Sequence, residues 1–187
     1  MSNSSLGITL RKILGGRNLY LVGMMGSGKS STGPQLAKTL SYGFVDSDSV
    51  IEGIIKTSIS NFFESEGESS FREIESKVLA AIGERHSLIV ATGGGIVLRK
   101  ENWGVLHQGI VIWLDPSQEV LSKRLSMDKL RPLLKNKNES TINTILNERT
   151  PFYREADLHV SINDEPIEIV TQKVLEGLSG IISDPDY

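Results

Sequence analysis

Residues 23–30 read Gly23-Met24-Met25-Gly26-Ser27-Gly28-Lys29-Ser30, an uninterrupted G-x-x-x-x-G-K-[ST] motif. Such a loop functions only where a buried strand leads in and a helix leads out. The glycines let successive backbone N–H groups curl inward around phosphate oxygens, and the helix N-terminus adds positive charge at the same point. The flanking sequence supplies both elements. The apolar run at 18–22 is halted by glycine, as a buried parallel strand would be, and from 30 to 40 the apolar positions take helical spacing. A glycine-rich turn without a ligand would not require Lys-Ser at this register. Pro34 removes an early helical hydrogen bond, so it belongs in the first turn and a half, where that loss costs least. The motif therefore implies a nucleoside triphosphate cradled by Gly26, Ser27 and Gly28. Lys29 would reach the β- and γ-phosphates, and the Ser30 hydroxyl would ligate Mg²⁺.

Further strands are expected at 43–45, 87–91, 110–114 and 158–162. Helices are expected at 6–14, 50–55, 59–63, 70–82, 118–125, 141–149 and 167–178, with another ending over 105–108. Strands alternating with helices predict a parallel sheet covered on both faces. A chain of 187 residues suits one domain, 1–187. Residues 127–141 are polar, basic and poor in apolar anchors, and read as a mobile excursion.

Composition removes several function classes. A net charge of −3, from 20 basic and 23 acidic residues, argues against a dedicated nucleic-acid or anionic-membrane binder. The absence of cysteine excludes disulfides, thiolate chemistry and cysteine-based zinc sites, and three scattered histidines leave little for a histidine metal cluster. No apolar run approaches the roughly 18 residues of a membrane span. No acid precedes Asp46, while Arg11, Lys12, Arg17, Lys29 and Lys38 all do. The N-terminal segment thus reads as a short amphipathic helix or, alternatively, a targeting peptide.

The P-loop does not name the reaction. A GTPase would carry Asn-Lys-x-Asp after a strand, whereas Asn136-Lys137-Asn138-Glu139 ends in glutamate and lies in the polar excursion. A motor-type ATPase would be larger. A small-molecule phosphotransferase remains, and its acceptor must be sought in the rest of the chain. Asp46-Ser47-Asp48 follows a strand, at the sheet edge where ligands bind. In an extended pair one carboxylate would face a metal and the other the acceptor. The plainer reading is a helix N-cap supplied by Asp48 or Ser49. Phe71-Arg72-Glu73-Ile74-Glu75 sets Arg72 and Glu75 three apart on a helix face, which alone describes a surface ion pair. Thr92-Gly93-Gly94-Gly95 offers bare backbone to a ligand or makes a tight turn. Arg131-Pro132-Leu133-Leu134 and Glu148-Arg149-Thr150-Pro151-Phe152-Tyr153 add two arginines without an obvious acidic partner.

These motifs occur in the order and at the spacing of shikimate kinases, and the chain resembles that family from 18 to 178. Residues 91–98, Asn102-Trp103 and Trp113-Leu114-Asp115 are most similar to its cyanobacterial and plastid branch. The resemblance implies a P-loop, nucleoside-monophosphate-kinase-like three-layer α/β sandwich: a five-stranded parallel sheet flanked by helices, with a small lid at about 126–141. It implies ATP- and Mg²⁺-dependent phosphorylation of the 3-hydroxyl of shikimate by a cytoplasmic monomer, or a stromal one in a plant. Arg72 and Arg149 would clamp the substrate carboxylate, with Gly93, Gly94 and Gly95 beside the ring hydroxyls. Asp48 would contact the acceptor hydroxyl, and Asp46 would hold Mg²⁺ through water. Arg131 would reach the transferring phosphate from the lid, making the catalytic set Lys29, Asp48 and Arg131. Ser31 would join the P-loop residues at the nucleotide. Arg124 would lie against adenine, and the loop at 163–166, ending in Pro166, would cover its other face. Two arginine forks suit one carboxylate. The chain departs from the family pattern at Ser31, at Ser161, and in the asparagine-rich stretch after Leu134. Two alternatives stand beside this reading. One is a kinase of another small hydroxy acid such as gluconate, for which the paired arginines and triple glycine lose their explanation. The other is a non-catalytic binder, against which stands the presence of Lys29, Asp48 and Arg131.

Overall fold

The computed structural model describes residues 3–127 and 139–182. Helix α1 (Asn3–Leu14) precedes β1 (Leu19–Val22), the P-loop and α2 (Lys29–Leu40). Then follow β2 (Gly43–Asp46), α3 (Ser47–Ile55), α4 (Ile59–Gly83), β3 (Leu88–Ala91), a 3-10 turn (Ile96–Leu98) and α5 (Lys100–Leu106). The chain continues through β4 (Ile110–Pro116), α6 (Gln118–Met127), α7 (Glu139–Tyr153), β5 (Leu158–Ile162) and α8 (Ile167–Ile182). The five strands are parallel in the order β2-β3-β1-β4-β5, so β1 lies at the centre between β3 and β4. That arrangement delivers the carboxyl ends of β1, β2 and β3 to one edge, where ligands bind in open α/β sheets.

Period-two alternation along β1 divides the core. Leu19 and Leu21 face a cluster with Leu10, Leu14, Leu36, Leu40, Val174 and Leu178, supplied by α1, α2 and α8. Tyr20 and Val22 face the opposite cluster with Phe71, Val78, Leu79, Leu106, Trp113 and Tyr153, supplied by α4, α5, β4 and α7. The central strands β1, β3 and β4 are buried on both faces, which is why they read as continuous apolar runs. The edge strands β2 and β5 are partly exposed. The N-terminal segment forms a helix of this core, since Leu10 and Leu14 are fully buried. Among the described residues no helix is long and apolar enough to cross a membrane.

Several element boundaries differ from the sequence reading. The segments expected at 59–63 and 70–82 are two arms of α4, joined across a break at Gly67 (φ 79°, ψ 169°), a conformation open to glycine alone at little cost. Helix α3 starts at Ser47 rather than Val50, because Asp46 caps it: its Oδ1 accepts from the N–H groups of Asp48 (3.0 Å) and Ser49 (3.3 Å). The cap is therefore neither Asp48 nor Ser49, and Asp48 lies in the first helical turn rather than in an extended pair. Helix α7 runs four residues beyond 149, with Pro151 tolerated in its final turn. The helix expected to end over 105–108 is α5, which stops at Leu106. Most of the polar excursion, including Arg131, lies outside the described residues.

Candidate active site

The P-loop bends through Gly23, Gly26 and Gly28, all at positive φ (137°, 78° and 98°). A Cβ at Gly23 would stand 2.5 Å from the Leu114 carbonyl of neighbouring β4, so this position also needs glycine for space. Lys29 opens α2 and is 8% exposed. Its ammonium donates to the Gly23 and Met24 carbonyls, both at 2.8 Å, and to the Ser27 hydroxyl at 3.2 Å. The lysine thus sits at the centre of the loop it serves.

Ser30, one residue on, donates its hydroxyl to Asp46 Oδ2 at 2.6 Å. One carboxylate thereby caps α3 with one oxygen and meets the P-loop serine with the other. A hydroxyl and a carboxylate at this distance are hard oxygen donors, the type that suits Mg²⁺ with several waters retained. Ser31 is exposed on the same turn and lines the cleft.

The cleft of about 1240 Å³ runs from the P-loop to the first half of α4 and the triple glycine. Its size exceeds the roughly 300–1,000 Å³ of a single small-ligand pocket, leaving room for two substrates. At the far end two carboxylates converge on Gly93. A Cβ there would stand 2.7 Å from Glu75 Oε1 and 2.8 Å from Asp48 Oδ1. The Gly93 N–H donates to Ser47 Oγ at 3.1 Å, fixing the glycine run to the start of α3. Arg72 lies beside Gly95, its Cζ 2.5 Å from where a Cβ would be, and Arg149 Nη1 is 3.3 Å from the same point at Gly94. Only a side-chain-free backbone admits both guanidinium groups this closely.

The Arg72–Glu75 pair is not the surface ion pair its spacing suggests. Glu75 is 1% exposed and accepts from Arg72 Nη1 at 2.6 Å, while Glu68 holds the other edge of the same guanidinium at 3.0 and 3.2 Å. Glu75 Oε1 is buried, finds no hydrogen-bond partner among the described residues, and faces the cleft wall at Gly93. Burial raises the Glu75 pKa, and the charge of Arg72 opposes that rise. The rings of Phe63 and Phe71 lie 4.6 Å apart beneath Arg72, whose Cζ is 5.9 and 5.3 Å from their centroids, within cation–π range. Phe63 carries no motif in the sequence. Its signal was an aromatic residue two helical turns before Phe71, hidden by the break at Gly67.

At the nucleotide end, Arg124 on α6 donates to the Gly26 carbonyl at 3.2 Å and lies 3.6 Å from the Cβ position of Gly28. Ile162, Glu165, Ile167 and Val170 line that side, whereas Pro166 stands outside the lining and its carbonyl accepts from the N–H groups of Ile169 and Val170 in the first turn of α8. Lys123 reaches across to Asp164 at 2.6 Å, tying α6 to this loop. The structure therefore gathers Gly26, Ser27, Gly28, Lys29, Ser30, Ser31, Asp46, Asp48, Arg72, Gly93, Gly94, Gly95, Arg124 and Arg149 around one cleft.

The family model described as shikimate kinase matches residues 25–179. A shikimate kinase of Prochlorococcus marinus is 58% identical over 174 residues, 91% of this chain and 92% of that protein. A shikimate kinase of Synechococcus sp. is 56% identical over 95% of this chain and 90% of its own length. Among solved structures, the shikimate kinase from Acinetobacter baumannii in complex with shikimate matches with TM-score 0.85 and 37% identity, covering 91% of this chain and 97% of that one. A gluconokinase from Sinorhizobium meliloti shares the fold alone, at TM-score 0.56 and 18% identity, covering 89% of this chain and 93% of its own.

Proposed function

The chain belongs to the shikimate kinase family, and we propose that it transfers the γ-phosphoryl group of ATP to the 3-hydroxyl of shikimate, giving shikimate 3-phosphate and ADP. The observation that carries this reading is the single cleft joining the P-loop to two arginines, two carboxylates and a bare glycine run. A triphosphate and a hydroxylated carboxylic acid are the pair of ligands this set of groups can hold.

In this reading the P-loop N–H groups and Lys29 take the β- and γ-phosphates. Ser30 and Asp46 would hold Mg²⁺, which would supply charge neutralisation at the phosphates. Arg72 and Arg149 grip the acceptor's carboxylate, which sets the ring so that one hydroxyl faces Asp48. The Asp48 carboxylate orients that hydroxyl and accepts its proton as the new P–O bond forms. Phosphoryl transfer demands mainly alignment and charge stabilisation, so two separately anchored substrates meeting in line supply most of the chemistry. Arg131, on the lid expected at about 126–141, adds positive charge at the transferring group. Arg124 lies against the adenine, with the loop through Pro166 on its other side. We further propose that the protein acts in the cytoplasm, as its bacterial relatives suggest, and as a monomer.

The test is ADP release with ATP and Mg²⁺, comparing shikimate with gluconate as acceptor. Turnover dependent on shikimate supports the reading; turnover of gluconate without turnover of shikimate overturns it.

A further inference from the structure

Tyr153 is fully buried at the end of α7 and does not line the cleft, yet it touches two groups that do. Its hydroxyl donates to the Gly94 carbonyl at 2.6 Å, across 59 residues of chain. One helical turn earlier on α7 stands Arg149, whose charge is felt at the Tyr153 hydroxyl and whose Nη1 lies 3.3 Å from the Cβ position of Gly94. Tyr153, Gly94 and Arg149 thus meet behind one wall of the cleft. Burial pushes that hydroxyl up to about 12, against the opposing pull of Arg149, so it remains a protonated donor at any working pH. The ring is held as well, stacked on Trp113 at 5.8 Å and 25°, with Trp113 itself stacked on His159 at 4.2 Å.

The glycine run explains why such an anchor matters. Three consecutive glycines have no side chains to pin their peptide planes, and glycine has the widest conformational freedom of any residue. A planar trans peptide turns as a unit, so holding the Gly94 carbonyl fixes the whole plane between Gly94 and Gly95. The Arg149 guanidinium lies against the peptide so held, its Nη1 3.3 Å from the Gly94 Cβ position, which limits the rotamers its long side chain can sample.

We infer that Tyr153 is a positioning residue for acceptor recognition: its hydroxyl locks the Gly94–Gly95 peptide and the Arg149 guanidinium into one fixed relation before the substrate arrives. This rests on the assignment of shikimate as acceptor and goes beyond it by placing a specificity determinant behind the cleft wall. The hydroxyl takes no part in the chemical step. Although the Gly94 Cβ position is 3.4 Å from the Gly23 carbonyl of the P-loop, the hydroxyl itself bonds the Gly94 carbonyl on the Arg149 side, so its loss acts first on the acceptor.

Tyr153→Phe removes one oxygen and keeps the stacked ring. The expected result is a rise of roughly three- to tenfold in KM for shikimate, the effect of one lost hydrogen bond. KM for ATP and kcat should stay within about twofold, because a contact made equally in ground and transition states affects binding rather than turnover. Combining it with Arg149→Ala provides a second measurement. If Tyr153 acts through Arg149, the added effect of Tyr153→Phe shrinks in that background. An unchanged shikimate KM, equal losses for both substrates, or full additivity with Arg149→Ala overturns the inference. A Tyr153→Phe chain without native circular dichroism assigns the hydroxyl to stability and overturns it too. Failure of the unsubstituted chain to turn over shikimate overturns the functional reading itself, so the two failures are distinguishable.

Discussion

Ser30 and Asp46 meet across a 2.6 Å hydrogen bond that joins the first turn of α2 to the end of β2. The bond sets a hydroxyl and a carboxylate side by side next to the phosphate cradle, the arrangement expected of a Mg²⁺ site. Asp46→Asn separates its two duties, because asparagine caps a helix about as well as aspartate but carries no charge. The melting temperature should therefore hardly change. The Mg²⁺ concentration for half-maximal turnover should rise by about tenfold or more, as for loss of an outer-shell carboxylate. A Mg²⁺ titration at saturating ATP and acceptor checks this, and a drop in melting temperature without a Mg²⁺ shift would reduce Asp46 to a cap.

Asp48 lies in the first turn of α3 with its Oδ1 facing Gly93. Asp48→Asn should keep ATP affinity while lowering kcat by on the order of 10²–10⁴, the worth of a positioned general base. Near-normal turnover would assign the residue to favourable charge at the helix N-terminus instead.

Arg72 and Arg149 differ in surroundings, and their substitutions should differ accordingly. Either change to alanine should weaken shikimate binding by about 1.5–3 kcal/mol, and lysine should restore little because it lacks the two-pronged fork. Arg72→Ala additionally leaves Glu75 buried with its charge partner gone. The Glu75 pKa is already raised by burial, so its contribution to stability is present below its ordinary value and lost as pH rises through the folded one. Removing Arg72 raises that pKa further. The destabilisation of Arg72→Ala should therefore be small near pH 4 and larger near about pH 7.5. Thermal melts of both proteins across this range provide the measurement, and a pH-independent difference would contradict the electrostatic account.

Gly95→Ala places a methyl group 2.5 Å from Arg72 Cζ, and the guanidinium is held on both edges by Glu68 and Glu75. Shikimate KM should rise while ATP binding stays normal. Gly180→Ala, in α8 with nothing within 4 Å of the new methyl, serves as the contrasting case. It should leave both KM values alone and stabilise the helix by about 0.5–1 kcal/mol.

Lys29 and Arg131 should fail in different ways. Lys29 is held within the P-loop by two carbonyls, so Lys29→Ala should harm ATP affinity and turnover together. Arg131 belongs to a stretch with few apolar anchors, and in the lid reading it meets the phosphate only in the closed, reacting complex. Arg131→Ala should bind ATP within a few fold of the parent protein yet lose up to about 10³ in kcat, as for other arginines that stabilise transferring phosphate. Parallel losses in affinity and rate for Arg131→Ala would remove the distinction.

The P-loop was fully legible because its physics is local: eight consecutive residues between a strand and a helix specify their own geometry. The two core faces were equally legible, since Leu19/Leu21 and Tyr20/Val22 alternate by strand geometry whatever surrounds them. Local signals misled where one residue had two duties. On sequence alone Asp46 is a metal-side carboxylate in an extended pair, and a helix cap falls to Asp48 or Ser49. Its two oxygens let it cap α3 and face Ser30 together, which moved the helix start three residues earlier.

Residue types, their order and the strand–helix alternation determined which chemistry this chain could attempt. Tertiary structure alone decided which groups meet. An arginine and a glutamate three apart look identical on paper whether they lie in water or under a sheet edge. Only the strand order β2-β3-β1-β4-β5 brings α4 against the glycine run, turning Arg72–Glu75 from a solvated pair into a buried one facing Asp48. Likewise nothing near Tyr153 in the sequence points to Gly94, 59 residues away. The physical reason is common to both: periodicity and turn chemistry are set by neighbours along the chain, whereas burial, charge pairing and desolvation are set by neighbours in space.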